Sequence, residues 1–315
     1  HRVDRRQRQM CIRDRYKLFV FALAGFLAQL IDGSLGMGFG ASSSSILLTF
    51  GVAPAIVSAT IHFSEIATTA ASGTSHWKFE NVHKPTMIKL AIPGAITAFI
   101  GAAILSHIHS DFIKPFIAIF LLSMGLYILY QFLFTKEKPL SKANEKTSRL
   151  VLIPQGAVAG FLDSIGGGGW GPVNTPLILA QKKLEPRYAI GTVSASEFFV
   201  TVSASLSFII FLGWSQINWW LVVSLSVGGM IAAPFAAWLV RLLPMNILAV
   251  CVSGLIIFTN TNSLISVVEI NHALSITIKI ALIVIWFGLI LYALYQNNKL
   301  PFATFKDETN VNKLD

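Results

Sequence analysis

The feature that most constrains this chain is a pair of acidic, glycine-rich motifs embedded in sequence too apolar for water. Around Asp32 the chain reads DGSLGMGFG, and around Asp163 it reads DSIGGGGWG. An offset of 131 residues lays Asp32 on Asp163, Gly25 on Gly156, and Gly36, Gly38 and Gly40 on Gly167, Gly169 and Gly171, with Phe39 on Trp170. Both stretches thus carry D-x3-G-x-G-aromatic-G. One inserted residue shifts the offset to 132, and TIHFSEIATT then aligns with TVSASEFFVT. Thr60 meets Thr192, Ser64 meets Ser196, Glu65 meets Glu197 and Thr69 meets Thr201. A Gly- and Ala-rich stretch follows in each half, at 92–103 and 226–237. Self-similarity at a fixed period is the mark of a repeated architecture.

The surroundings of these motifs decide the solvent. Residues 90–106, 115–135, 198–240, 242–268 and 280–296 contain no Asp, Glu, Lys or Arg. Several of these runs reach the ~20 apolar residues that cross a ~30 Å hydrocarbon layer. Only 12% of the chain is charged, against about a quarter in soluble domains. The fold class expected is therefore all-α, a polytopic transmembrane helical bundle of two homologous repeats. The surroundings expected for such a chain are a lipid bilayer.

The net charge of +9 does not indicate a nucleic-acid partner. Arg2, Arg5, Arg6, Arg8, Arg13 and Arg15 crowd the first fifteen residues, and the remaining basic residues fall largely in loops. Residues 1–15 lack apolar periodicity and are read as a non-native header, set apart from the fold; a basic cytoplasmic arm is the competing reading. A signal peptide is disfavoured, because the apolar run that follows has a counterpart in mid-chain. Cys11 and Cys251 fit no metal or redox spacing. No metal, cofactor or catalytic residue is expected. The sequence carries no signal of oligomeric state.

Each half opens with an apolar segment, 16–31 or 150–165, that breaks at the glycine run and resumes as a short apolar piece at 46–50 or 172–181. Each interior glycine costs a helix roughly 1 kcal/mol, so the helix is predicted to unwind there. Unwound backbone at membrane depth survives only where protein buries it or it lines a cavity. Three full spans are predicted in each half, at 53–75, 85–107 and 112–134, then at 187–212, 217–240 and 244–266, with a last span at 272–296. The organisation expected is repeat 1 over 16–135, a basic linker over 136–149, repeat 2 over 150–268, an extra helix over 269–298 and a polar tail over 299–315. Lys136, Lys138, Lys142, Lys146 and Arg149 in the linker, with Lys182, Lys183 and Arg187, mark cytoplasmic loops. That places the C-terminus inside and makes the second repeat inverted relative to the first. Inverted repeats with interrupted helices are the plan of many secondary transporters, with substrate held near the midplane.

Four carboxylates fall inside predicted spans. Asp32, Asp163, Glu65 and Glu197 are the candidate proton-coupling groups, since an acid at the bilayer centre costs at least ~2.5 kcal/mol to insert. The bland reading of the aspartates is structural, as caps on broken helix ends. No Lys or Arg lies deep in either repeat, so a bound anion would rest on neutral donors. Candidates are the backbone N–H groups of Gly36, Gly38, Gly40, Gly167, Gly169 and Gly171. Ser42 and Ser43, with Ser44 and Ser45 behind them, and Asn174 and Thr175 add side-chain donors. Thr60 and Ser64, like Thr192 and Ser196, are spaced i, i+4 and share a helical face; they either line the path or bond the preceding turn. His62 is a further relay candidate three residues before Glu65, though Ser194 occupies its place in the second half.

These motifs resemble the sulfite exporter TauE/SafE permeases over about 16–266. The resemblance implies a bacterial inner-membrane permease of two homologous halves. It further implies small sulfur oxyanions or organosulfonates as cargo, and coupling to the proton gradient. The first motif, GMGFGASSSS, lacks the proline of GWGPVNTP in the second, so the half-sites are chemically unequal. The expected function is secondary transport of a small-molecule anion, sulfite or an organosulfonate, coupled to protons. The alternative is a channel or cation-conducting protein that uses the carboxylates. An enzyme is not expected, since the chain has neither H-E-x-x-H nor G-x-S-x-G.

Overall fold

The computed structural model describes residues 18–32, 37–134, 148–181, 184, 186–239, 245–268 and 271–299. The 1–15 header, Gly36, linker residues 136–147 and tail residues 300–315 lie outside the described residues. Eleven α-helices form the described fold. They are α1 (Leu18–Asp32), α2 (Phe39–Thr49), α3 (Pro54–Lys78), α4 (Lys84–His107), α5 (Ser110–Phe134), α6 (Arg149–Gly166), α7 (Trp170–Ala180), α8 (Pro186–Phe211), α9 (Trp219–Leu239), α10 (Met245–Val268) and α11 (His272–Lys299). The seven predicted full spans agree with α3–α5 and α8–α11 to within three residues at every end. Helix ends track local composition, and lipid leaves a backbone few other ways to bond itself.

Five of these helices, α4, α5, α8, α10 and α11, are both long and apolar enough to cross a membrane. α3 is as long but carries the polar load. Its Ser58, Thr60, His62, Ser64, Glu65, Thr68 and Thr69 are all buried. A polar helix in a bundle of this kind belongs at the centre, where protein rather than lipid meets its side chains. α8 packs against it and buries Thr192, Ser196, Thr201 and Ser205. Large apolar residues face outward instead: Ile88, Ile92, Ile96, Ile100 and Ile104 make an exposed stripe along α4. In a bilayer such a stripe is a lipid face.

The helices do break at the glycine motifs, but later helix starts were expected than those observed. α2 begins at Phe39, not at residue 46, and α7 begins at Trp170, not at residue 172. Gly40 and Ser42–Ser45 therefore lie within a helix rather than in unwound chain. Two glycines beside the breaks need the freedom that only glycine has. Gly38 caps α2 at φ 125°, and Gly167 caps α6 in the left-handed region at φ 68°. An L-side chain is strained at either value.

Small residues set the close contacts between helices. A Cβ at Gly156 would stand 3.0 Å from Leu90 Cα and 2.6 Å from its carbonyl oxygen, while one at Gly160 would meet the Gly94 backbone. α6 thus lies almost backbone to backbone on α4. The sequence counterpart of Gly156 is Gly25, and a Cβ there would stand 2.8 Å from Leu225 Cα. So α1 lies on α9 as α6 lies on α4. Trp170 fills the space beside Gly94, and Phe39, its counterpart, lies beside Gly229. The packing is reciprocal: the opening helix of each half rests on a long helix of the other. α11 stands outside this exchange and packs on α10, where the Trp286 ring covers Gly254 and its indole N–H donates to the Val250 carbonyl at 3.1 Å.

Candidate functional site

The two glycine breaks meet. A Cβ built at Gly40 would run into the Gly167 carbonyl and stand 2.6 Å from Gly168 Cα, and one at Gly168 would stand 2.6 Å from Ala41 Cα. The Ser44 hydroxyl donates to the Gly167 carbonyl at 2.9 Å across the same contact. The first turn of α2 is therefore pressed onto the α6–α7 turn, and both are buried.

Asp163 organises the second break. Its Oδ1 accepts the backbone N–H of Gly169 at 2.6 Å and of Trp170 at 2.9 Å, while its carbonyl accepts the Gly167 N–H at 2.6 Å. It thereby satisfies donors at the start of α7 that would otherwise be orphaned. Asp32 makes the corresponding backbone hydrogen bond to Phe39, the residue that the repeat pairs with Trp170. The capping reading of the aspartates thus has geometry behind it in both halves. Gly171 lies one residue into α7, and buried Asn174 and Thr175 follow on the next turn.

The four predicted acids converge. Glu65 lies within electrostatic reach of Asp163, Glu197 and Asp32, and Glu197 within reach of Asp32 and Asp163. Glu65 is 3% exposed, and its Oε1 lies beside Gly40, 3.0 Å from where a Cβ would stand. Against them stands one buried base. His62 Nε2 is 3.2 Å from Asp163 Oδ2, and its Nδ1 is 2.8 Å from the Ser58 carbonyl. His62 Nε2 or Nδ1, a Glu65 oxygen and an Asp163 oxygen all lie within 4.8 Å of one another. Sequence spacing showed no such cluster, because Asp163 arrives from another helix 101 residues away.

The predicted donors divide into two groups. Ser42 Oγ, Ser43 Oγ, Thr60 Oγ1 and Asn174 Nδ2 are buried with no hydrogen-bond partner, as is Glu65 Oε2. Ten buried side-chain atoms share that condition among the described residues. Half of them fall on residues that the repeat motifs had singled out. The other group is already committed. Ser64 donates to the Thr60 carbonyl at 2.8 Å and Ser196 to the Val193 carbonyl at 2.7 Å, each bonding a preceding turn. Thr192 accepts the His83 backbone N–H at 2.9 Å, so it fastens the loop before α4. His83 itself has its pKa held below the usual histidine value by burial and then by Lys89.

Four residues escaped the sequence reading. Ser58 holds His62 by its carbonyl and donates its hydroxyl to the Ser164 carbonyl at 2.5 Å; its place four residues before His62 was the available signal. Gln155 donates to Asn174 Oδ1 at 3.0 Å, and Gln181 donates in turn to Gln155 Oε1 at 3.2 Å. Asn260 on α10 donates to Ser45 Oγ at 2.7 Å. No repeated letter marks these amides: Gln155 adjoins the paired Gly156 but has Ala24 as its own counterpart, and Gln181 and Asn260 fall outside the aligned motifs.

Comparison with known proteins bears on this geometry. The family model described as Sulfite exporter TauE/SafE matches residues 21–263. The chain is 50% identical over 278 residues to the "Probable membrane transporter protein YtnM" of Bacillus subtilis (strain 168), covering 88% of this chain and 93% of that protein. No solved structure matches.

Proposed function

This chain belongs to the sulfite exporter TauE/SafE family, and we propose that it carries a small oxyanion, sulfite or an organosulfonate, by a proton-coupled route through the crossing of its two glycine breaks. That it is a multi-pass membrane transporter follows from the family and from the relative. The family's printed description, a sulfite exporter, supports the choice of cargo. The single observation that carries the site is the set of unpartnered buried donors, Ser42 Oγ, Ser43 Oγ, Thr60 Oγ1 and Asn174 Nδ2. A buried donor left unmade costs about 1–3 kcal/mol, and an oxyanion's oxygens are acceptors that would recover it. Neutral donors also suit a cargo that must leave again.

Each of these groups is buried, so an anion reaches them only by alternate opening toward each side. Repeats inverted as loop charge predicts would let each half open one face.

The test is flux of sulfite and of methanesulfonate in proteoliposomes of the full chain. Ser43→Ala and Asn174→Ala are expected to raise the KM for the anion roughly fivefold each, the loss of about 1 kcal/mol per hydrogen bond, with elution on size exclusion unchanged. The convergence of four acids favours one second reading, a cation path. Flux of small cations in place of anions, unaltered by either substitution, would establish that reading and remove the one proposed.

A further inference from the structure

We propose that His62, Asp163 and Glu65 form one proton site shared between the two halves of the chain, and that it couples a single proton to each anion. The inference rests on the transport reading above and specifies its coupling.

The hydrogen-bond pattern around His62 limits where protons sit. Nδ1 faces the Ser58 carbonyl at 2.8 Å and the Ser58 hydroxyl oxygen at 3.3 Å. The hydroxyl proton is already given to the Ser164 carbonyl. Both neighbours of Nδ1 therefore accept, and Nδ1 carries a hydrogen at all times. Nε2 faces Asp163 Oδ2 at 3.2 Å, so one further proton lies between ring and carboxylate. Asp163 Oδ1 already accepts two backbone N–H groups, which leaves Oδ2 to face the ring. Ring and carboxylate hold that proton between them.

Glu65 completes the site. It is i+3 from His62 on α3, it is buried, and its Oε2 has no partner. An ionised carboxylate so placed is costly, so in the closed state it carries the exchangeable proton as a neutral acid. The chemistry is proton transfer: an O–H bond forms on Glu65 as the Nε2–H bond of His62 breaks, His62 takes up a replacement proton from the side that is open, and the Glu65 O–H bond breaks as its proton departs to the other side. No electrons move. With Glu65 ionised, a negative charge stands beside Gly40, where an anion would meet the first turn of α2. With Glu65 protonated, that repulsion is gone. Proton and anion each favour binding of the other, and by linkage the effect is reciprocal.

The other titratable groups near α3 do not form a second such site. Asp32 from α1 and Glu197 from α8 face the trio. α2 and α9 contribute no Asp, Glu, Lys, Arg or His; α4 contributes Lys84, Lys89 and His107 only near its ends, and α5 contributes Asp111 and Lys114 at its start. α3 itself adds His76 and Lys78 in its last turn. At the position that the repeat pairs with His62 stands Ser194, so Glu197 and Asp32 lack a base to relay through. The first half supplies a base among the acids and the second does not.

The experiment measures steady-state accumulation of methanesulfonate, an anion that does not titrate near neutral pH, in proteoliposomes with the membrane potential clamped. Carboxyl and imidazole titration of the same protein is followed in parallel by infrared difference spectroscopy. For one coupled proton the accumulation ratio changes about tenfold per unit of imposed pH difference, and for two about a hundredfold. Glu65→Gln is expected to bring that dependence to less than twofold and to remove a titrating carboxyl band. His62→Gln is expected to flatten the dependence likewise, and Ser194→Ala to leave it at tenfold. If His62→Gln does not fold, Glu65→Gln decides. A hundredfold slope, or titration and coupling untouched in Glu65→Gln, overturns the proposal, as does a stoichiometric metal ion bound by the wild type and lost in His62→Gln. Absence of methanesulfonate and sulfite flux together with a titrating band that vanishes in Glu65→Gln defeats the cargo reading but upholds the proton site. Anion flux that ignores pH in the wild type does the reverse.

Discussion

At the residue scale, the glycines divide by what stands opposite their missing Cβ. Gly40 and Gly168 lie where two backbones touch, and a methyl group at Gly40 would overlap the Gly167 carbonyl. Overpacking of this kind costs about 1–3 kcal/mol, and here the atom in the way is backbone, which cannot swing aside. Gly288 on α11 has nothing within 4 Å of a built Cβ. Gly40→Ala is therefore expected to lower the melting temperature by several degrees and to suppress transport. Gly288→Ala is expected to leave both unchanged or to raise stability by up to about 1 kcal/mol through helix propensity. Thermal unfolding in detergent, read with flux, tests the pair; equal effects at the two positions would mean that the crossing is not the tight contact described. The motifs made these glycines conspicuous without saying which were indispensable. Spacing reports that residues recur, whereas the penalty for a side chain depends on what the other half of the chain presses against it.

At the element scale, α4 is held between α6 and α8 by side chains that bond exposed carbonyls. Thr97 Oγ1 donates to the Ala157 carbonyl at 2.7 Å, Ser203 Oγ to the Ala95 carbonyl at 2.7 Å, and Ser207 Oγ to the Phe99 carbonyl at 2.7 Å. Ser203 and Ser207 are one helical turn apart on α8, so they clasp two successive turns of α4. Interhelical bonds of this type average about 0.6 kcal/mol each in membrane proteins, because the separated helices also find partners. Ser203→Ala and Ser207→Ala should each lower the melting temperature slightly, and the double variant should fall by about the sum. A double variant that loses several kcal/mol would mean that the two serines act as one unit and not as independent ties. These contacts left almost no trace in the sequence. Ser and Thr in an apolar helix bond either their own preceding turn, as Ser64 and Ser196 do, or a neighbouring helix, and composition is identical in the two cases.

At the scale of the whole molecule, the bundle is a reciprocal exchange between halves with α11 added at its edge. The most apolar stretch of α11 holds no fully buried residue, and its attachment runs through Trp286, Leu289, Ile290 and Ala293 against Leu133 and Val250. Apolar contact adds little between helices in lipid, since acyl chains replace it at small cost. A chain ended after Val268 is thus expected to remain folded, with one symmetric peak on size exclusion and a modestly lower melting temperature. Aggregation of that truncated chain would show that α11 is integral to the bundle.

The sequence by itself determined the solvent, the number and extent of the long helices, and the place where each half breaks. Those properties follow from local composition, because an apolar run of sufficient length in lipid has to become a helix and a glycine run has to interrupt it. Only the tertiary structure decided that the two breaks touch, that four acids from α1, α3, α6 and α8 gather, and that His62 finds Asp163 while Thr192 is drawn away to a loop. Each of these depends on which surfaces meet across a hundred or more residues of chain, and the choice lies in the packing of small residues between helices, which no periodicity within one helix can express.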